Sequence, residues 1–419
     1  MKLPRIIRLE SWIGICCFCI LTLPVFSQDF KFDSTISRPV LENYLGRSIS
    51  FTEILHDDLT QPRNSRGVDP RDNIRFLLDT KAKFVGRALL LWGREQNLSN
   101  FLKTAKPYAE LLHKADPDIV LQGGAFEIVT KNVETQTMPE RVFLAFGQPV
   151  TNRNFRYEDM IYADGRQVNH WGKDSSVPDM SRLETRMWFY HLATSYIDAG
   201  LEAIHFGQVG LMDWNDKDHA HWWDMLSRVR AYAHQHARRH FLVCDAHVPT
   251  GGYLFGDKLL FDFHSFPMRI AEVEDKPYEG VLKVGNVDSI YLRSKGGITP
   301  SGWSCKNLPY IVEFDNFGCS NPGKPSKAYF VWGWDEITWF ALQPEAKRNE
   351  WLRYAWDWVR KTDPNGFLQM PGSRVLTPGM PDKPRWYWAN TRSDACPEGS
   401  NTEATIKELW ATPNAVQVK

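Results

Sequence analysis

Residues 308–318 read LPYIVEFDNFG. Side chains alternate along such a run, so Val312 and Phe314 share one face while Glu313 and Asp315 share the other. A short β-rich segment that ends in carboxylates and then Asn and Gly reads as a strand leaving a core for a polar edge. Seven further segments of strand character recur: RSISFTEIL (47–55), FVGRALLLWG (84–93), DIVLQGGAFEIV (118–129), LEAIHFGQVG (201–210), HFLVCDAHV (240–248), KLLFDFHSF (258–266) and AYFVWGWDE (328–336). Helical periodicity occupies stretches between them, most clearly at 99–114, 182–199, 222–236 and 344–361. Strands alternating with helices imply parallel pairing, and eight such units suit a (β/α)8 barrel of the TIM type. An open doubly wound sheet is the alternative, but no glycine-rich phosphate fingerprint follows the first strand.

Two connections are long, 130–181 and 267–307, and long loops at the strand ends are expected to shape a binding site. From about residue 365 the chain is rich in Pro and Gly and reads as an irregular extension packed on the barrel. The implied organisation is an export segment over 1–27, a barrel over 28–364 and an extension over 365–419.

The N-terminus carries Lys2, Arg5 and Arg8 ahead of an apolar run from Trp12 to Phe26, which reads as a secretory signal peptide cleaved after Ser27 or Gln28. A secreted or periplasmic protein is expected, with no stable membrane insertion after cleavage, since no later stretch is long enough to span a bilayer. Lys+Arg and Asp+Glu are equal at 50 each, so no general attraction for nucleic acid or anionic lipid is expected. Four cysteines lie beyond the export segment, Cys244, Cys305, Cys319 and Cys396, and their spacing matches no zinc motif. Cys305 and Cys319 bracket the seventh strand, and a disulfide between them is expected in an oxidising compartment.

Applying the alternation to each strand brings ionisable groups together. Glu313 and Asp315 are expected inside the barrel, with Asp245 and His247 from the fifth strand. Asp262 and His264 join them from the sixth, and Gly123, Ala125 and Glu127 from the third. Four strands ending in inward ionisable groups differ from a structural barrel, which fills those layers with Val, Ile and Leu. Seventeen Trp residues add stacking surface for sugars. Trp92, Trp171, Trp214, Trp303, Trp332 and Trp334 are the candidates at the mouth.

The chain resembles secreted (β/α)8 glycoside hydrolases of the large clan in which a catalytic glutamate ends the seventh strand. VEFDN puts Glu313 in that position, and VWGWDE offers Trp332 or Trp334 for the clan's tryptophan after the eighth strand. The resemblance implies an enzyme that cleaves a poly- or oligosaccharide with paired carboxylates and no cofactor or metal. It departs at the fourth strand, where HFGQVG has Gln208 in the place of the clan's acid/base glutamate. An amide cannot donate and recover a proton. Glu127 is the first candidate for the missing acid, followed by Asp213 and Glu95, while Gln208, Asp245, His247, His264 and Asp315 would contact substrate. An acid on the third strand faces the seventh across the full mouth, which favours inversion at about 6.5–9.5 Å between carboxyl groups with Glu313 as general base, whereas the clan resemblance implies a nucleophilic Glu313 and retention at roughly 5–5.5 Å. Two alternatives stand beside this: a barrel that binds glycans without cleaving them, and a metal-dependent hydrolase using Asp245, His247, Asp262 and His264.

Overall fold

The computed structural model describes residues 28–326, 329–377 and 385–411; the expected export segment lies outside them. The chain folds as mixed α/β around one curled ten-stranded sheet. Its strands are β1 (Ser48–Phe51), β2 (Phe84–Leu90), β3 (Val120–Gly124), β4 (Ala203–Gln208), β5 (Val243–His247), β6 (His264–Pro267) and β7 (Tyr310–Glu313), then β8 (Gly366–Leu368), β9 (Met370–Val375) and β10 (Trp386–Trp388). The spatial order is β8-β7-β6-β5-β4-β3-β2-β1-β9-β10. Every neighbouring pair from β8 round to β9 is parallel, and β9–β10 alone in this sheet is antiparallel. Only Gln369 separates β8, which pairs with β7, from β9, which pairs with β1.

The helices fall where periodicity places them. Among those between strands are α2 (Pro70–Thr80), α3 (Leu98–Ala115), α4 (Leu183–Asp198), α5 (Ala220–His236), α6 (Glu336–Leu342) and α7 (Glu345–Thr362), while α1 (Arg38–Leu45) precedes β1 and α8 (Glu403–Ala411) ends the described chain. Local chemistry sets their starts. Asp69 accepts the N–H of Arg71 at 2.9 Å ahead of Pro70, and Asp335 accepts that of Thr338 at 2.9 Å.

The interior changes character along the strands. At their N-terminal ends Phe84, Val120, Ala203, Val243, Phe263, Ile311 and Phe367 pack together, closed below by Val40, Leu41 and Leu45 of α1. Two residues further along, on all of these strands but β2, which has Gly86 there, the side chains become polar: Gln122, His205, Asp245, Ser265 and Glu313, with Ser48 bonded to Gln369 across β1 and the β8–β9 join at 2.8 Å. The apolar layer is the core. The polar layer is the floor of whatever lies above it.

Several expectations need correction. AYFVWGWDE forms no strand over its described residues: Val331 and Trp334 exchange backbone bonds of 2.9 and 3.1 Å in a tight turn around Gly333 (φ +77°). The sheet position expected for it is taken by β8 and β9, inside the stretch read as an irregular extension. On β6 the parity is reversed. Phe263 faces inward, edge-on to Phe84 at 5.6 Å, so Asp262 and His264 point out of the interior. Asp262 accepts the N–H of Cys244 at 2.8 Å and faces Arg230 of α5, and burial pushes it up to about 6. His264 bonds Ser294 Oγ at 3.1 Å, fully buried away from the cleft. On β3 the inward residues are Gln122 and Gly124, while a Cβ on Gly123 would strike Tyr196 of α4.

The expected disulfide is absent; Cys305 and Cys319 are free thiols, as are Cys244 and Cys396. Cys305 pairs with Gly297 in a small hairpin before β7, and Cys319 lies beyond its far end against Trp334. A strand climbs about 3.3 Å per residue, so thiols bracketing one sit too far apart for a disulfide's Cα spacing. Thiol titration of the denatured, unreduced protein should therefore find all four cysteines beyond residue 27 reactive. A titre of two would restore the disulfide.

Candidate active site

Above the polar floor lies a cleft of about 1130 Å³. Its walls come from the C-terminal ends of the parallel strands and from β10, the usual place for function in such sheets. It is larger than a drug-sized pocket of roughly 300–1,000 Å³.

Glu313 ends β7 just beneath this cleft and is 2% exposed. Arg87 Nε donates to its Oε2 at 3.0 Å, Arg87 Nη2 donates to Oε1, Arg374 Nη1 donates to Oε2 at 2.9 Å, and His247 Nε2 bonds Oε1 at 2.8 Å. A carboxylate offers about four acceptor positions, and these partners fill them. Burial favours the neutral acid, but the Arg87 and Arg374 guanidiniums and His247 outweigh it and hold Glu313 well below the usual carboxylate range. Asp315, one step further along, lines the cleft 3.9 Å from Arg87 and 3.6 Å from Arg374.

Arg87 reaches this position through an irregularity. The β2–β3 register slips between Val85 and Leu89, and Arg87 sits at φ +58°. A bulge of this kind re-aims one side chain, here inward. Gly86 makes the turn fit, since a Cβ there would lie 2.7 Å from Gln369 Nε2. Arg374 comes from β9 and also holds Asn316 Oδ1 at 3.0 Å.

Glu127, expected on β3, lies instead on the loop just after it, 2% exposed and lining the cleft. Its Oε2 accepts the backbone N–H of Gln208 at 2.7 Å and its Oε1 accepts Gln208 Nε2 at 2.9 Å. The carboxylate therefore hangs over the end of β4, not β3. Gly207 (φ +61°) permits this, because any Cβ there would collide with Glu127 Oε2. Gln208 and His247 also border the cleft. Asp245 does not; it anchors the floor, accepting from Gln122 Nε2 at 2.6 Å and bonding His205 Nδ1 at 2.8 Å.

The other candidate acids are engaged elsewhere. Glu95 accepts both N–H and Oγ1 of Thr130, at 2.8 and 2.6 Å, and Asp213 accepts Tyr253 Oη at 2.6 Å; neither lines the cleft. Of the expected aromatics only Trp92 and Trp171 border it, packed edge-to-face at 5.3 Å, with Phe126 5.4 Å from Trp92. Trp332 and Trp334 are buried away from it, and Trp332 Nε1 donates to Glu279 O at 2.8 Å. Trp386 and Trp388 of β10, stacked at 6.0 Å, supply an opposite aromatic wall. Of the two long loops, 130–181 contributes Trp171, whereas none of the described lining residues comes from 267–307.

Sequence reading missed Arg87, Arg374, His205 and Gln122. Arg87 left one signal, a charge inside an otherwise apolar strand; His205 left another, flanked by Ile204 and Phe206.

No family model matches the chain, and no curated protein matches it. Solved structures similar to it include Arthrobacter globiformis T6 isomalto-dextranase complexed with panose, at 9% identity over 55% of this chain and 40% of that one, with a TM-score of 0.33. This chain thus spans less than half the length of that enzyme. The glycoside hydrolase domain of PelA from Pseudomonas aeruginosa is similar at 10% identity over 71% and 90%, with a TM-score of 0.30. Endo-glycoceramidase II from Rhodococcus sp., in its cellobiose-like isofagomine complex, is similar at 9% identity over 81% and 76%, with a TM-score of 0.37. These neighbours are glycoside hydrolases. Function has to come from the site's own residues.

Proposed function

We propose that this protein is an exported glycosidase that cleaves a poly- or oligosaccharide in the strand-end cleft of a (β/α)8-type barrel. The observation that carries the reading is the placement of Glu127. A carboxylate stands over the end of β4, bordering the cleft and held by two amide donors of Gln208. Glycoside hydrolysis needs one carboxyl group to protonate the leaving oxygen and a second, ionised one across the scissile bond. Glu127 takes the first role and Glu313, held ionised by its cations, the second. Trp92 and Trp171 on one wall and Trp386 on the other give apolar faces for sugar rings. Because the Glu127 carboxylate leans over β4, the sequence argument for a full-width separation from Glu313 loses its premise, and the reading moves from inversion to retention.

A second reading rests on the saturation of Glu313. Four donors occupy it, and Asp315 is the carboxylate of this pair that borders the cleft. On that reading Glu313 anchors Arg87 and Arg374, and Asp315 meets the substrate. Asp315→Asn separates the two: it abolishes turnover if Asp315 reacts and only weakens it if Glu313 does.

The test of the function is release of reducing ends from a panel of neutral and acidic polysaccharides. We expect turnover of at least one, with the product's anomeric configuration retained by NMR. Binding without turnover across the panel would leave a glycan-binding protein and remove the enzyme.

A further inference from the structure

His205 of β4 is 2% exposed, and its Nδ1 is tied to Asp245 Oδ2 at 2.8 Å. Its other nitrogen, Nε2, has no hydrogen-bond partner. A buried nitrogen without a partner is unusual and calls for a cause, such as an ion or a water. The ring stands edge-on to His247 at 4.8 Å, and Phe126 covers it at 5.4 Å. A ligating nitrogen from each histidine and a carboxylate oxygen of Glu313 all lie within 4.8 Å of one another.

We propose that His205, His247 and Glu313 form a binding site for one divalent transition-metal ion, zinc by preference. Two imidazoles and a carboxylate are a donor set suited to zinc and its neighbours in the first row. Asp245 supplies the outer partner that such histidines need. It holds the His205 Nδ1–H, fixes the tautomer and leaves the Nε2 lone pair for the ion. Of the constellation expected from the sequence this site keeps His247 and, as outer partner, Asp245, while His264 and Asp262 face the other way.

Formal charge supports a dication despite the two arginines. Beside the ligands stand the carboxylates of Asp245, Glu313 and Asp315 and the guanidiniums of Arg87 and Arg374, three negative against two positive, so with neutral imidazoles the surroundings of the ion are net negative. Zinc bonds of about 2.0–2.2 Å place tetrahedral ligands roughly 3.3 Å apart. The contact of 2.8 Å between His247 and Glu313 therefore widens slightly on loading, and the widest separation in the group closes by roughly 1.5 Å. The site shares Glu313 with the proposed catalytic pair, but zinc retention is measured without turnover and so is read apart from it.

The experiment is metal retention by the purified protein after chelator treatment, reloading with zinc sulfate and exhaustive dialysis, read by elemental analysis and by thermal unfolding. We expect about one zinc per chain, with the unfolding midpoint raised by a few degrees at saturating ion. His205→Gln and His205→Phe should each lose the retained zinc and the shift, with their metal-free midpoints serving as the folding control. His236→Ala, on the surface of α5, should keep both. No zinc retained by the parent protein would overturn the proposal and leave His205 Nε2 to a buried water. Zinc retained by both His205 variants would overturn it equally, placing the ion elsewhere.

Discussion

Glu313→Gln is expected to abolish turnover and to lower stability by about 3–5 kcal/mol, the usual cost of breaking a buried ion pair from one side. The substitution keeps the shape but leaves Arg87 and Arg374 buried against a neutral amide, one of whose two positions now donates where four donors already converge. The loss should depend on pH in a definite direction. The folded-state pKa of Glu313 is depressed, so the stability it contributes is present above the unfolded carboxylate value, about 4.3, and is lost as pH falls through the folded value. Urea unfolding of parent and variant from pH 7 downwards should show the gap between them narrowing below about pH 4. A variant as stable as the parent at pH 7 would contradict the buried clamp, whatever its activity.

Glu127→Gln is the second large effect, and here stability should hold. Among the described residues the Glu127 carboxylate is hydrogen-bonded by Gln208 alone, so an amide in its place turns one acceptor into a donor and costs about 1–2 kcal/mol. Turnover should fall by roughly 10²–10⁴-fold, the usual contribution of a general acid. Aryl glycosides with good leaving groups should recover much of that loss, because only protonation of the leaving oxygen is impaired. Near-parental activity on natural substrate would return the acid role to another carboxylate. An equal loss on both substrate types would make Glu127 a binding group.

How far the sequence discloses this site depends on how each strand's alternation is resolved. FLVCDAHV and YIVEFDNF put apolar residues on one face and acid or imidazole on the other, and β5 and β7 follow that reading, with Asp245, His247 and Glu313 inward. LLFDFHSF carries the same alternation and goes the other way. Phe263 fills the lower core, whereas Phe261 packs outside on Phe206 and Trp222, and the polar residues find Arg230 and Ser294 outside as well. Period two fixes which residues share a face and leaves open which face is inside; the partner decides. In GGAFEIV two glycines blur the pattern, and the strand stops at Gly124, so Glu127 takes its position from the loop.

The largest miss has a backbone cause. GFLQMPGSRV contains Pro371 and two glycines, which argue against a strand inside a sheet. It nevertheless pairs on both sides, with a register shift between Ser50 and Phe51 opposite the proline and glycine taking up the irregularity. Reading it as an extension hid Arg374, and with it half of the clamp on Glu313. Arg87 was hidden by its own bulge, since regular alternation gives no means of telling where a residue at φ +58° points. The helices show the opposite case. Four stretches chosen on periodicity alone correspond to α3, α4, α5 and α7 within a residue or two, because burial of one face is a local property of the sequence.

The most direct measurement of the central claim is a crystal structure of the Glu127→Gln variant with an oligosaccharide from the panel that the parent cleaves. The account predicts sugar rings along the cleft, stacked on Trp92 or Trp386, with one glycosidic oxygen within about 3.2 Å of residue 127, the reach of a general acid. Saccharide bound outside the strand-end cleft, or inside it with residue 127 facing only ring hydroxyls, would contradict it.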